Sequence, residues 1–157
     1  MDWNATLESL VTVALAGLVG GLVGLERELA RKPAGLRTHV LVAAAAALLM
    51  LLGHASLDAF EEAASRGLIR ADPSRVIQAI VVGISFLGAG TILRNGTSHV
   101  EGLTTAASIL LTTALGIAVA LGKVGLAFGV AMLMVVVLLV LGRLERALEH
   151  RAAASDR

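Results

Sequence analysis

Five stretches of this chain contain no Asp, Glu, Lys or Arg: Ser9–Leu25, Thr38–Leu57, Val76–Leu93, Gly102–Gly122 and Val124–Gly142, each 17 to 21 residues long. A hydrocarbon core about 30 Å thick is crossed by about 17–25 helical residues, so each run has the length of one membrane span. A soluble helical bundle would show charges every few residues along its solvent faces, and these runs show none. Lipid offers the backbone no hydrogen-bond partner, so only helices and closed barrels span it, and nothing in the runs alternates with a period of two. The expected fold class is all-α: a polytopic membrane helical bundle of about five transmembrane helices with a short interfacial helix.

Composition agrees. Hydrophobic residues make up 57% of the 157 residues and charged residues 16%, the latter well below the roughly 25% of a soluble domain. The net charge of +1 marks no nucleic-acid partner. The absence of Cys excludes disulfides, Cys-ligated zinc and thiol catalysis. Met1–Ser9 carries Asp2 and Glu8 but no Lys or Arg, and the first run ends in Glu26-Arg27-Glu28. That reads as a retained helix rather than a signal peptide.

One transmembrane domain is expected over about 1–142, with helices near 6–25, 36–53, 74–93, 102–122 and 124–142. A cytoplasmic tail is expected over 143–157, frayed over Ala152–Arg157. Pro33 and Gly35 punctuate the first loop, so the second helix starts near Leu36. Asp72-Pro73-Ser74-Arg75 reads as an N-cap with Pro at the first helical position. Asn95-Gly96 marks a tight turn. Within Ala55–Arg70, Leu57, Phe60, Ala64 and Leu68 share a face while Glu62 and Arg66 stand on another, the pattern of a short amphipathic helix in the interface.

Lys and Arg favour cytoplasmic loops. With the N-terminus outside and the C-terminus inside, nine Lys/Arg fall on the cytoplasmic side and four on the other, so that orientation is expected.

Within the runs, Gly17/Gly21 and Gly20/Gly24 form two overlapping small-xxx-small pairs, suited to close helix packing within the chain or across a homodimer. Gly83, Gly88 and Gly90 flank Phe86-Leu87, where either close packing or a broken helix fits. Thr105, Ser108 and Thr112 share one face, serving as interhelical glue or as a polar pathway. Polar residues gather at helix ends that the topology puts on one membrane face: Glu26 and Glu28, Arg37-Thr38-His39, Arg94, and Glu101–Thr105. Two of these ends are helix N-termini, with free N–H groups and positive dipole ends beside Arg37 and Arg94. Glu26 is expected to pair with one of those arginines or to help hold a cation, and is the candidate metal ligand. The bland alternative is an ion-pair network that only locks helices together. The candidate ligand-binding set is Glu26, Arg37, Thr38, His39, Arg94, Thr104 and Thr105.

The same residues carry a family resemblance. Gly24-Leu25-Glu26-Arg27-Glu28, Pro33-Ala34-Gly35-Leu36-Arg37-Thr38-His39, Phe86-Leu87-Gly88-Ala89-Gly90 and Gly102-Leu103-Thr104-Thr105-Ala106-Ala107 resemble, in order and spacing, the signature blocks of the MgtC/SapB family. The resemblance covers roughly Leu7–Gly142. It implies a multi-pass bacterial inner-membrane protein. The best-known members support growth at low magnesium and survival inside macrophages, and some are described as restraining the F-type ATP synthase. Two departures stand out. Virulence-associated members carry a soluble C-terminal regulatory domain, which this chain is expected to lack. The family often has Trp shortly after the Thr-Thr-Ala-Ala block, where this chain has Ile109-Leu110.

The expected function is non-enzymatic, in magnesium or envelope homeostasis, through a cytoplasmic-side polar site or another membrane protein, with no cofactor. The alternative is a small ion carrier or channel with Thr105, Ser108 and Thr112 along its path. No run holds a mid-membrane acid, which weighs against a dedicated Mg²⁺ path through one protomer. A membrane hydrolase lacks support, since Ser85 has no evident base and neither HExxH nor GxSxG occurs. The expected partners are the bilayer, another membrane protein and a second copy of the chain.

Overall fold

The computed structural model describes residues 3–63, 72, 74–95 and 99–155, apart from the side chains of 58, 60–63, 93–95, 99–100, 146 and 149–155. Among the described residues five helices follow one another: α1 (Trp3–Leu29), α2 (Leu36–Ala63), α3 (Ser74–Gly90), α4 (Leu103–Ala120) and α5 (Val124–Ser155). Two three-residue strands, β1 (Leu93–Asn95) and β2 (His99–Glu101), pair antiparallel between α3 and α4, with Arg94 opposite Val100. Four helices, α1, α2, α4 and α5, are long and apolar enough to cross a membrane. At 17 residues α3 is shorter, at the lower limit of about 17 for a span. The protein is a helical membrane bundle.

Its surface explains why lipid must surround it. Phe86 is 86% exposed, and Leu18 and Val82 stand out beside it. Inside, the residues are small: Ala16, Val19, Val23, Ala47, Ala127 and Ala131 form most of the main core cluster. Lipid tails are as apolar as Leu, so burying Leu gains nothing in a bilayer; close backbone approach and dense packing hold the helices instead. Hydroxyls away from the core behave accordingly. Ser9, Thr12, Ser56 and Ser85 each donate to the carbonyl four residues earlier, which hides the polar group in its own helix.

The tightest packing joins α1, α2 and α4. A Cβ on Gly20 would lie 2.6 Å from Ala43 Cβ and 2.7 Å from the His39 carbonyl oxygen. On Gly24 it would meet His39 Cβ and Leu36 Cα at 2.8 Å, and on Gly116 it would run into the Ala43 backbone. Gly17 and Gly21 face Val40 of α2, so α2 covers the small-residue face within one chain. The glycines of α3 differ. Among the described residues, added Cβ atoms at Gly83 and Gly90 meet nothing within 4 Å, and at Gly88 only ordinary contact with Ala106. Close packing at Gly83 and Gly90, one of the readings of this segment, is absent because α3 lies at the margin of the bundle.

Several boundaries depart from expectation. The helix expected to run to 93 stops at Gly90, where Thr91 and Ile92 donate to carbonyls three residues back and the Thr91 hydroxyl also bonds the Gly88 carbonyl. Leu93–Asn95 then enters the hairpin, and the residues between its strands, Gly96 included, lie outside the described residues. No separate interfacial helix begins at Ala55: α2 continues unbroken to Ala63, because no Pro or Gly intervenes between Gly53 and Ala63. Ala64, Arg66 and Leu68 lie outside the described residues. Beyond 142, α5 continues as helix to Ser155, so the segment expected as a tail is helical that far.

The α1–α2 connection is built with few residues. Arg31 takes a left-handed φ of 54°, and Lys32 and Arg31 donate to the Arg27 and Glu28 carbonyls, a Schellman ending. Glu28 then reaches forward, its Oε2 accepting from the Leu36 N–H at 3.0 Å, and so caps the start of α2. A Cβ on Gly35 would overlap that carboxylate, so glycine is what lets Glu28 sit there. At the other loop, Gly102 has φ 89°, and a Cβ would drive into the Thr91 carbonyl. Asp72 caps α3 as its sequence suggests, Oδ1 accepting from Ser74 N–H at 2.9 Å.

Candidate functional site

The C-terminal end of α1, the N-terminal ends of α2 and α4, and the second half of α5 lie together at one end of the bundle, as an up-and-down order dictates. Among them lies a cavity of about 360 Å³ lined by Glu26, Arg27, Lys32 and Thr104, with Val137, Leu138 and Glu145 from α5. Glu26 and Arg27 are both buried, at 7% and 3% exposure. The Arg27 guanidinium donates to both carboxylate oxygens, Nε to Oε2 at 2.5 Å and Nη2 to Oε1 at 2.9 Å. This two-pronged bond is the strongest form of carboxylate–cation pairing. The arginine that pairs with Glu26 is thus its immediate chain neighbour, and not Arg37, while the Arg94 side chain lies outside the described residues. Successive helical residues point about 100° apart and do not ordinarily face each other, so spacing gave no reason to single out Arg27.

Behind the cavity is a second polar group, sealed from solvent. His39 is fully buried. Its Nδ1 lies 2.9 Å from the Gly35 carbonyl and its Nε2 3.2 Å from Ser108 Oγ. A carbonyl only accepts, so Nδ1 carries a hydrogen, and in a neutral ring Nε2 is then an acceptor. The Ser108 hydroxyl also lies 2.8 Å from the Thr105 carbonyl, so one proton serves two acceptors. Thr105 and Thr112 are buried at 2% and 0% exposure, and the Thr112 hydroxyl has no hydrogen-bond partner among the described residues. Its methyl points toward Gly20 of α1. The Thr105–Ser108–Thr112 face of α4 therefore lies inside the bundle, with Ser108 tying α4 to α2.

The sequence-derived set thus divides. Glu26 and Thr104 share the open cavity. His39 and Thr105 belong to the sealed layer behind it. Arg37 is exposed and Thr38 half-buried in the first turn of α2, and neither lines the cavity. Arg94 sits on β1, and its side chain lies outside the described residues. Arg27, Lys32 and Glu145 line the cavity and were not in that set. As a metal ligand Glu26 is poorly placed, since both oxygens already accept from Arg27. Among the described residues no three His, Cys, Asp or Glu come together in a group able to hold an ion.

Three of the four sequence blocks now have a physical task. Gly24 admits α2, Glu26 and Arg27 form the pair, Glu28 and Gly35 cap α2, His39 links to α4, and Gly102 makes the turn into α4.

The family model described as MgtC family matches residues 13–147. The chain is 41% identical over 118 residues to the putative magnesium transporter YhiD of Escherichia coli, covering 74% of this chain and 53% of that protein. It is 35% identical to protein SapB of Bacillus subtilis, over 78% of this chain and 51% of SapB. To protein MgtC of Brucella abortus it is 34% identical over 154 residues, covering 97% of this chain and 59% of that protein. The chain spans about half to three-fifths of the length of these relatives. No solved structure matches it. With 13–147 matched throughout and the four blocks in register, the chain belongs to the MgtC family.

Proposed function

We propose that this chain is a non-enzymatic inner-membrane protein of magnesium and envelope homeostasis, acting through the cavity of Glu26, Arg27 and Thr104 on the cytoplasmic side. The observation that carries the reading is a buried, doubly hydrogen-bonded ion pair lining an open cavity at one end of an otherwise apolar bundle. Ionisable groups in a membrane protein are costly and mark working sites by default. The names of the Escherichia coli and Brucella relatives supply the magnesium connection, and nine of the thirteen Lys and Arg on one side support the orientation. A non-enzymatic role fits Ser85, whose hydroxyl is spent on the Val81 carbonyl. A protein partner or a second copy would meet the chain away from Gly17 and Gly21, since α2 covers that face.

The test is growth at limiting magnesium in a bacterium lacking its own member of the family. The chain is expected to restore growth, while Glu26→Gln and Thr104→Val reach the membrane in normal amount and fail to restore it. Full rescue by both variants would refute the reading.

A small ion carrier is the second reading, favoured by the Escherichia coli relative's name. Its path along α4 would need Thr112, so Thr112→Val should abolish Mg²⁺ flux into sealed liposomes. On the leading reading no such flux exists, and Thr112→Val is tolerated because Val replaces an unpartnered hydroxyl at nearly equal volume.

A further inference from the structure

The polar cavity has a neighbour. A second recess of about 280 Å³ runs between α4 and α5, lined by apolar residues such as Leu111, Leu133 and Met134, with Ser108. The two share Thr104, Val137 and Leu138 as walls, so a charged chamber and an apolar groove adjoin. That is the outline of an amphiphile: a polar head above, a hydrocarbon chain below.

The charges narrow the headgroup. Glu26 and Arg27 largely satisfy each other. Lys32 and Glu145 remain on the wall, both exposed, and neither has an ion pair among the described residues. One free cation and one free anion suit a zwitterion, with a phosphate toward Lys32 and the outer Arg27 N–H groups and an ammonium toward Glu145. A purely anionic lipid would satisfy Lys32 and leave Glu145 without a counter-charge. A quaternary ammonium has no N–H to give a carboxylate, whereas a primary ammonium forms the stronger charge-assisted bond. We propose that cavity and groove together form a binding site for a phosphatidylethanolamine taken from the surrounding bilayer. The inference rests on the cavity being the working site proposed above and supplies its ligand. It is read on purified protein, so its failure is separate from failure of the growth test.

The experiment uses the full chain reconstituted in vesicles of phosphatidylcholine containing a trace of phosphatidylethanolamine with a photoactivatable diazirine in one acyl chain. Labelling is expected on α4 and α5 near Leu111, Met134 and Leu138. Unlabelled phosphatidylethanolamine should compete about fivefold better than phosphatidylglycerol or further phosphatidylcholine, the discrimination that one well-placed surface charge provides. Lys32→Gln and Glu145→Gln should each remove that preference, and Lys32→Arg should keep it. Ala107→Trp, which fills the groove and leaves the charges in place, should abolish labelling there. Equal competition by the three lipids, or a preference unchanged in both Gln variants, would show only ordinary boundary lipid and overturn the proposal. So would better competition by phosphatidylglycerol.

Discussion

At the scale of single residues, the Glu26–Arg27 pair dominates the energetics of the site. Both side chains are almost wholly buried, so removing one partner leaves the other buried without its paired charge. Arg27→Ala is expected to cost about 3–5 kcal/mol in unfolding free energy, while replacing both partners by neutral residues of similar volume costs much less. Denaturant unfolding in detergent micelles, read as a double-mutant cycle, checks this. Strict additivity of the two single substitutions would mean the pair contributes nothing. The sequence disclosed Glu26 because an acid at the lip of an apolar run is conspicuous. Arg27 stayed hidden among loop cations, because neighbours in a helix normally diverge and only burial turns one back upon the other. His39 was legible as a residue of interest, yet its attachment to Ser108 spans 69 positions and no local pattern encodes it.

At the scale of elements, glycine placement decides which helices touch. Gly116→Ala pushes a methyl into the Ala43 backbone and cannot be relieved by a rotamer change. It is expected to destabilise the bundle by about 1–3 kcal/mol, as overpacking does. Gly83→Ala meets open space and is expected to be neutral or stabilising by up to about 1 kcal/mol through helix propensity. Thermal unfolding of the two variants should therefore shift in opposite directions or leave Gly83→Ala unchanged. Both sites sit in equally glycine-rich runs, so sequence alone could not rank them; only the position of α4 at the centre and α3 at the margin separates them.

Capping also belongs to this scale. Hydrogen bonds from Ser74 hold the Asp72 carboxyl below its ordinary value of 3.8. A carboxyl depressed in the folded state stabilises it above the unfolded value and loses that contribution as pH falls through the folded one. Wild type should thus exceed Asp72→Ala in stability near neutrality, with the gap closing below pH 3.8. A gap that persists in strong acid would assign the effect to something other than the cap. The four-residue motif made this cap readable in advance. The end of α3 was not readable, because Ile92-Leu93 continues the apolar run and its departure into a hairpin depends on pairing with residues four to eight positions on.

At the scale of the whole molecule, helix count and apolar exterior followed from the uncharged runs, since lipid leaves a chain so few alternatives. What the sequence could order but not assemble was the polar end, where α1, α2, α4 and α5 each bring a piece. The account stands on that convergence at one membrane face. The chain has no Cys, so single cysteines placed at Lys32, Glu145 and Lys123 can each be probed with a membrane-impermeant thiol reagent in intact cells and after permeabilisation. The expected result is that Lys123→Cys reacts in intact cells, while Lys32→Cys and Glu145→Cys react together and only after permeabilisation. Reaction of Lys32→Cys and Glu145→Cys from opposite sides would dismantle the cavity and contradict the account.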